Sequence, residues 1–348
     1  MIQGNNTETW DIDTDDYEFL NSKSADLHSY VRFSQIFLPC MYSFAFVLGL
    51  VGNSLVLIIY LFYEKMKTLT DVFLVSLAIA DLLFLFTLPF WAYAAAYEWI
   101  FGTYMCKFIR GLYSLNLYTS MLTLTCMTID RLIAITQATK AYQSKVKKTL
   151  WGKVICVLVW MISLAFALPQ FMISMQSKLH KSVCHANNSS KHTELVIKVT
   201  QITLGYFIPM LTMIICYSRI SLTLLRVRGF HKHKSLKIIF SVVAVFLLTQ
   251  SPYNLLVLIR TIHRQFFLDN NFAFAVVVTE AIAYFRCCLN PVLYFFIGVK
   301  FRKHFQKIFK DTGCVKHLGR MKQLQSTEDE GSKSYTASNI EATSMYPL

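Results

Sequence analysis

The stretch TEAIAYFRCCLNPVLYFF, residues 279–296, has the length and apolarity of a helix in lipid, yet it carries Glu280 near its start and Arg286 at its middle. A charge inside hydrocarbon is costly, so such residues face a bundle interior and mark functional positions. The stretch therefore reads as one helix of a larger bundle rather than a lone anchor.

Six further stretches of the roughly 20 residues needed to cross a bilayer precede it, giving seven in all: about 33–61, 71–96, 105–135, 151–173, 198–225, 235–262 and 272–297. Of the 348 residues, 55% are hydrophobic and 16% charged, too apolar a balance for a soluble domain. The expected fold is an all-α membrane protein: a seven-transmembrane helix bundle over 33–297, with a short amphipathic eighth helix over 298–312. An acidic disordered tail, 1–32, precedes it, and a polar, phosphorylatable tail, 313–348, follows.

Lys and Arg near the span ends set the expected orientation. Lys65 and Lys67 lie in the first loop and Lys140, Lys145, Lys147 and Lys148 in the third. Arg226, Arg228, Lys232 and Lys234 lie in the fifth, and Lys300, Arg302, Lys303, Lys307 and Lys310 follow span seven. These sides read as cytoplasmic, with the N-terminus outside, although Lys178, Lys181 and Lys191 fall on the outer side. The glycosylation triplets at Asn5, Asn187 and Asn188 all fall outside, in agreement. No cleavable leader is recognisable, so span one reads as an uncleaved signal anchor.

The net charge of +14 is unevenly distributed. Residues 1–30 hold seven acids against Lys23, a net −6, which leaves the remainder at +20. That basicity reads as topology and contact with anionic membrane lipid, not as nucleic-acid binding.

Cys40, Cys126, Cys156, Cys216, Cys287 and Cys288 lie within apolar spans and read as small buried hydrophobes. Cys106, at the outer end of span three, and Cys184, in the loop after span four, share the oxidising side and are expected to form a disulfide. Cys314 follows the amphipathic stretch and reads either as a palmitoylation site or as a reduced thiol. His231 and His233 have no partner at metal-ligand spacing. No nucleophile elbow or phosphate loop appears, so an enzyme is disfavoured and no cofactor is implied. Inverted repeats and paired broken helices, the marks of a transporter, are not found either.

The spans carry, in order, Gly52-Asn53, Leu77-Ala78-Ile79-Ala80-Asp81, Asp130-Arg131-Leu132, Trp160, Pro209 with Tyr217, Pro252, and Asn290-Pro291-Val292-Leu293-Tyr294. The ordered set resembles the rhodopsin-like G-protein-coupled receptors over the whole transmembrane region. Thr87-Leu88-Pro89-Phe90-Trp91, the acidic tyrosine-bearing tail and Glu280 resemble the chemokine receptors among them. Shorter stretches, FLPCMY (37–42), ATKAY (138–142), SLKIIF (235–240), AVFLLTQ (244–250) and EATSM (341–345), resemble one particular receptor of that family.

The resemblance implies several roles. Asp15, Asp16, Tyr17 and Glu18 would meet a basic chemokine, with Tyr17 a sulfation site; a merely solvated terminus is the plainer reading. Trp91, Tyr113 and Glu280 would line a pocket for the ligand's flexible end. Asp130, Arg131, Tyr217, Phe246, Gln250, Pro252, Asn290, Pro291 and Tyr294 would form the signalling switch. Its partners would be an inhibitory-type G protein and arrestin, the latter drawn by phosphorylation at Ser326, Thr327, Ser332, Ser334, Thr336 and Ser338.

Three departures from the family pattern stand out. Residues 1–32 and 263–271 lack the cysteines of the usual second outer disulfide, which predicts a looser tail. Leu132 replaces the tyrosine common after Arg131, weakening the inference of G-protein coupling. Gln250 replaces the usual tryptophan two residues before Pro252, so switching would fall more on Phe246. A receptor that binds or internalises chemokine without signalling is thus the competing reading.

Arg286 has two candidate partners. Glu280, six residues away, lies about 240° around the helix and about 9 Å along it, whereas Asn290 is only about 40° away. By resemblance Asn290 faces Asp81 in a central polar site with Asn53 and Ser120, where many family members hold sodium. Arg286 is therefore expected to point at Asp81 and replace that ion; backbone carbonyls or a water cluster are the alternative partners.

Overall fold

A computed structural model describes residues 14–136, 145–178, 181–186, 191–226, 233–262, 270–297 and 299–311. Asn5, Asn187, Asn188, Cys314 and the six expected phosphorylation sites lie outside the described residues. Asp15, Asp16, Tyr17 and Glu18 are described in backbone only.

The first helix, α1 (Thr14–Ile58), begins far ahead of residue 33, correcting the expectation of a wholly disordered tail. No glycine or proline occurs between Thr14 and Leu38, so nothing in the acidic segment stops a helix propagating backward from the span. At its other end α1 widens into a π turn, Ile59–Tyr63. The chain then reverses through Lys65 and Met66, both at positive φ.

A capping box starts α2 (Leu69–Leu85): the Asp71 amide donates to Thr68 Oγ1 and the Thr68 amide to Asp71 Oδ2. The second span is not continuous, because α2 ends at Leu85 and α3 (Leu88–Ala96) begins two residues later. Pro89 explains the break. It lacks an amide hydrogen, and its ring collides with the carbonyl four residues back, that of Leu85. Thr87 repairs part of the damage, its amide and hydroxyl both donating to Phe84 O, at 2.8 and 2.6 Å.

The third span is α4 (Gly102–Thr136) and the fourth α5 (Lys145–Ile173). A hairpin that the sequence reading did not foresee follows, β1 (Ser174–Lys178) paired antiparallel with β2 (Ser182–Ala186). The fifth span comprises α6 (Lys191–Ile202), a π turn over Thr203–Phe207 and α7 (Ile208–Arg226). Pro209 again accounts for the irregularity, since the wider turn relieves its clash with the carbonyl of Gly205. Then come α8 (His233–Ile262), broken in its hydrogen bonding by Pro252, and α9 (Asn270–Ile297), which contains Pro291.

Six of these spans are long and apolar enough to cross a membrane; α4 alone of the seven falls short on apolarity. Its polar residues Ser114, Asn116, Thr119, Ser120, Thr123 and Thr128 are all buried, so they face other helices instead of lipid. At 35 residues α4 is about 52 Å long, ample for a ~30 Å hydrocarbon core. The fold is a seven-transmembrane helix bundle, as expected.

Close approach between helices rests on glycine. A Cβ at Gly52 of α1 would lie 2.8 Å from Pro291 Cβ on α9, and one at Gly111 of α4 would lie 2.2 Å from the Phe171 ring on α5. Among the described residues to Leu293, several groups of buried apolar side chains stand out. One, with Trp99, Cys106 and Ile109, lies by the hairpin; another joins Tyr42, Phe84, Leu85, Leu88 and Tyr284; a third joins Leu112, Leu115, Tyr118 and Ala167.

Residues from Tyr294 form a second unit containing α10 (Val299–Asp311), close to the expected 298–312. Phe301 packs edge-on to Tyr294 and Phe305 to Phe295, while Arg302, Lys303 and Lys307 are exposed. The apolar and basic faces separate at helical spacing, as an interfacial helix requires.

Candidate functional site

Three groups of polar residues succeed one another along the bundle. The first lies at the disulfide end. Cys184 of β2 is bonded to Cys106 in the first turns of α4, with 5.5 Å between their Cα atoms. The hairpin is held by further bonds: the Trp99 amide donates to Ser182 O, Gln176 Nε2 to Trp99 O, and the Ser182 amide to Glu98 Oε2.

Beneath this hairpin Trp91 of α3 and Tyr113 of α4 pack against the same apolar group around Tyr284. The Tyr113 ring lies 5.2 Å from that of Tyr284 and 5.9 Å from Phe84, and Tyr284 lies 5.5 Å from Tyr42. The Trp91 ring lies tilted 5.7 Å from that of Trp99, and its indole Nε1 is buried without a hydrogen bond among the described residues.

Glu280 stands one turn before Tyr284 on α9, and the two side chains interact electrostatically. Tyr30, Tyr42, Tyr113 and Tyr253 lie within its electrostatic reach, as do Arg110 and Arg260. Trp91 and Tyr113, read from the sequence as one pocket with Glu280, pack on one apolar group, and Glu280 acts electrostatically on Tyr113. The sequence reading missed the tyrosines and both arginines around them. Arg110 carried the same signal as Glu280, an ionisable side chain within an apolar span.

Deeper in the bundle lies the central polar site. Arg286 Nη2 is 3.7 Å from Asp81 Oδ1, and the side chains are 4% and 0% exposed. Asn116 bridges the two, accepting from Arg286 Nη2 at 2.8 Å and donating through Nδ2 to Asp81 Oδ1 at 3.0 Å. Asn290 Nδ2 donates to Asp81 Oδ2 at 2.8 Å. The carboxylate thus has a cation and two amide donors, the company a buried charge needs. Asn116 escaped the sequence reading, because an asparagine in an apolar span carries no charge to mark it.

The other two expected members stand apart from the ion pair. Asn53 Nδ2 donates to Gly49 O and Cys287 O, both at 3.0 Å, tying α1 to α9. Ser120 Oγ is buried and makes no hydrogen bond among the described residues. The Arg286 guanidinium also lies over the Phe246 ring of α8, 4.8 Å from its centroid, within cation–π range. One turn on, Gln250 Nε2 donates to Ala283 O at 2.9 Å, a second tie between α8 and α9 beside Pro252.

At the far end of α4, Arg131 pairs with Asp130 at 3.5 Å and donates to Thr70 Oγ1 at the start of α2. The Tyr217 ring of α7 packs edge-on to Phe240 of α8 at 5.6 Å. Pro291 lies beneath Gly52, and Tyr294 belongs to the second unit.

Charged groups thus lie toward both ends of the bundle, with a buried ion pair between them. Residues 52–294 match the 7 transmembrane receptor (rhodopsin family). The chain is 39% identical over 327 residues to C-C chemokine receptor type 9 of Ovis aries, covering 91% of this chain and 88% of that one. Against the Homo sapiens receptor of that type it is 38% identical, covering 90% and 87%. Against C-C chemokine receptor type 7 of Mus musculus it is 42% identical over 294 residues, covering 82% and 78%. The chain belongs to the chemokine receptors of the rhodopsin-like seven-transmembrane family, a receptor class and not an enzyme class.

Proposed function

We propose that this receptor binds a chemokine at the disulfide end of its bundle and activates an inhibitory-type heterotrimeric G protein at the Arg131 end, guiding leukocyte migration or adhesion. The observation that carries the reading is Glu280, a carboxylate set among tyrosines inside the bundle, where it suits a cationic amine on the ligand.

The orientation that goes with it has the N-terminus outside the plasma membrane and the C-terminus in the cytoplasm. The Lys and Arg distribution supports it, as does the Cys106–Cys184 bond, which needs an oxidising side. Asp15, Asp16, Tyr17 and Glu18 would then steer a basic ligand to the mouth, raising the encounter rate more than the final affinity. Binding shifts the bundle only through contacts that differ between its resting and active forms. The break at Pro252 lets the inner part of α8 move, freeing Arg131 from Asp130 and bringing Tyr217 and Tyr294 toward it. Phosphorylation of Ser326, Thr327, Ser332, Ser334, Thr336 and Ser338 would supply anionic groups for arrestin.

The short stretches quoted above resemble those of C-X-C chemokine receptor type 6, a likeness that favours the membrane-anchored C-X-C chemokine ligand type 16 as ligand. A sodium ion at the central site does not fit this chain, because Arg286 and two amides already surround the Asp81 carboxylate. Arg286 acts there as a built-in cation.

Binding of a chemokine panel to receptor-bearing membranes, followed by nucleotide exchange, tests the function. Specific binding with exchange on an inhibitory-type α subunit is expected. Leu132 and Gln250 favour a second reading, a scavenging or adhesion receptor, which tight binding without exchange would support.

A further inference from the structure

The mouth of the bundle holds a guanidinium opposite the Glu280 carboxylate. Arg110 lies three residues before Tyr113 on α4, about 4.5 Å toward the disulfide, and Glu280 lies four residues before Tyr284 on α9, about 6 Å toward the same end. The two tyrosine rings meet at 5.2 Å, so these two turns flank one opening from opposite sides. The charge of Arg110 reaches Glu280 and Tyr253 of α8.

Its orientation is fixed. Arg110 Nε donates to Ser174 Oγ at 3.1 Å, and Ser174, fully buried at the start of β1, donates to Gln170 O at 2.6 Å. This anchors one edge of the guanidinium and leaves both η nitrogens without a hydrogen bond among the described residues. A planar fork held by its Nε presents the geometry that carboxylates accept in bidentate fashion.

We propose that Arg110 is a specificity-determining residue of the ligand pocket, reading a carboxylate in the same ligand segment whose amine pairs with Glu280. The inference rests on the receptor reading above. It commits the occupant to a polypeptide end bearing an ammonium group and, a short way along, an acidic side chain. The two groups stand on opposite sides of the opening, so the ammonium and the carboxylate of the ligand are separated by a short extended stretch at about 3.3 Å per residue. A ligand with a purely cationic end would satisfy Glu280 and meet repulsion from Arg110.

The test uses full-length receptor in cell membranes, nucleotide exchange as readout and a panel of soluble chemokine domains as probes. The most potent of these is then remade with each acidic residue of its flexible amino-terminal segment replaced, singly, by the amide. One such replacement should cost roughly tenfold or more in potency on the unaltered receptor, and Arg110→Gln should cost the same. On Arg110→Gln the ligand change should cost nothing further, and Arg110→Lys should restore part of the response. Ser174→Ala, which removes the tie and keeps the charge, should stay within about threefold of the parent. Independent, multiplying losses, a Ser174→Ala loss as large as that of Arg110→Gln, or indifference of the unaltered receptor to every ligand acid overturns the proposal. Should no chemokine evoke exchange or bind, the receptor reading itself falls, and this one with it.

Discussion

The Arg286 guanidinium and the Asp81 carboxylate face each other at 3.7 Å between α9 and α2, with Asn116 of α4 hydrogen-bonded to both. Breaking a buried pair from one side strands the other charge, which costs about 3–5 kcal/mol, whereas neutralising both is far milder. Arg286→Leu should therefore lower the thermal unfolding midpoint of detergent-solubilised receptor by several degrees. Adding Asp81→Asn should recover most of the loss, and equal losses in single and double variants would show that the pair contributes nothing.

The same pair predicts indifference to sodium. Replacing sodium by a bulky organic cation should leave agonist affinity unchanged within about twofold, because Arg286 supplies the positive charge. In Arg286→His, sodium should acquire an effect. A large sodium effect on the unaltered receptor that does not grow in Arg286→His defeats the idea of a built-in cation.

Thr70 is expected to restrain the resting state. It accepts from the partly exposed Arg131 near the end of α4 away from the disulfide, and a hydrogen bond to a charged group is worth about 1.5–3 kcal/mol, less where it is partly exposed. Thr70→Val should raise ligand-free nucleotide exchange several-fold, because the contact holds Arg131 against α2. Unchanged basal exchange at equal surface expression would make the contact incidental.

Gly111 should tolerate no methyl group. A Cβ there would stand 2.2 Å from the Phe171 ring, an aromatic group wedged between α4 and α5. Gly111→Ala should destabilise the receptor by about 1–3 kcal/mol, read as a lowered unfolding midpoint. Gly111→Ala with Phe171→Leu should regain part of it, since the smaller side chain can withdraw.

The spans were legible because lipid demands long apolar runs, and Glu280 and Arg286 stood out because charge within such a run must have a reason. Even α4 was found, though its polar face makes it the least apolar of the seven. What the residues did not announce was set by tertiary context. The π turn over Thr203–Phe207 needs Pro209 to be combined with the packing of its neighbours, and Asn116 gained its role only when Asp81 and Arg286 came to either side of it. The helical start at Thr14 escaped because acidity was weighed and the absence of helix breakers was not. Arg110 was passed over because its partners lie on three other elements, none near it in sequence.

The hairpin has a mechanical consequence. β1 and β2 are joined to α4 by the Cys106–Cys184 bond and the Arg110–Ser174 contact, and to the preceding segment through Glu98 and Trp99. The hairpin is thereby tied to the disulfide end of α4, the helix whose opposite end carries Arg131. Force from a ligand lodged against the hairpin is delivered to the axis of the bundle without first being spent in bending a loose loop.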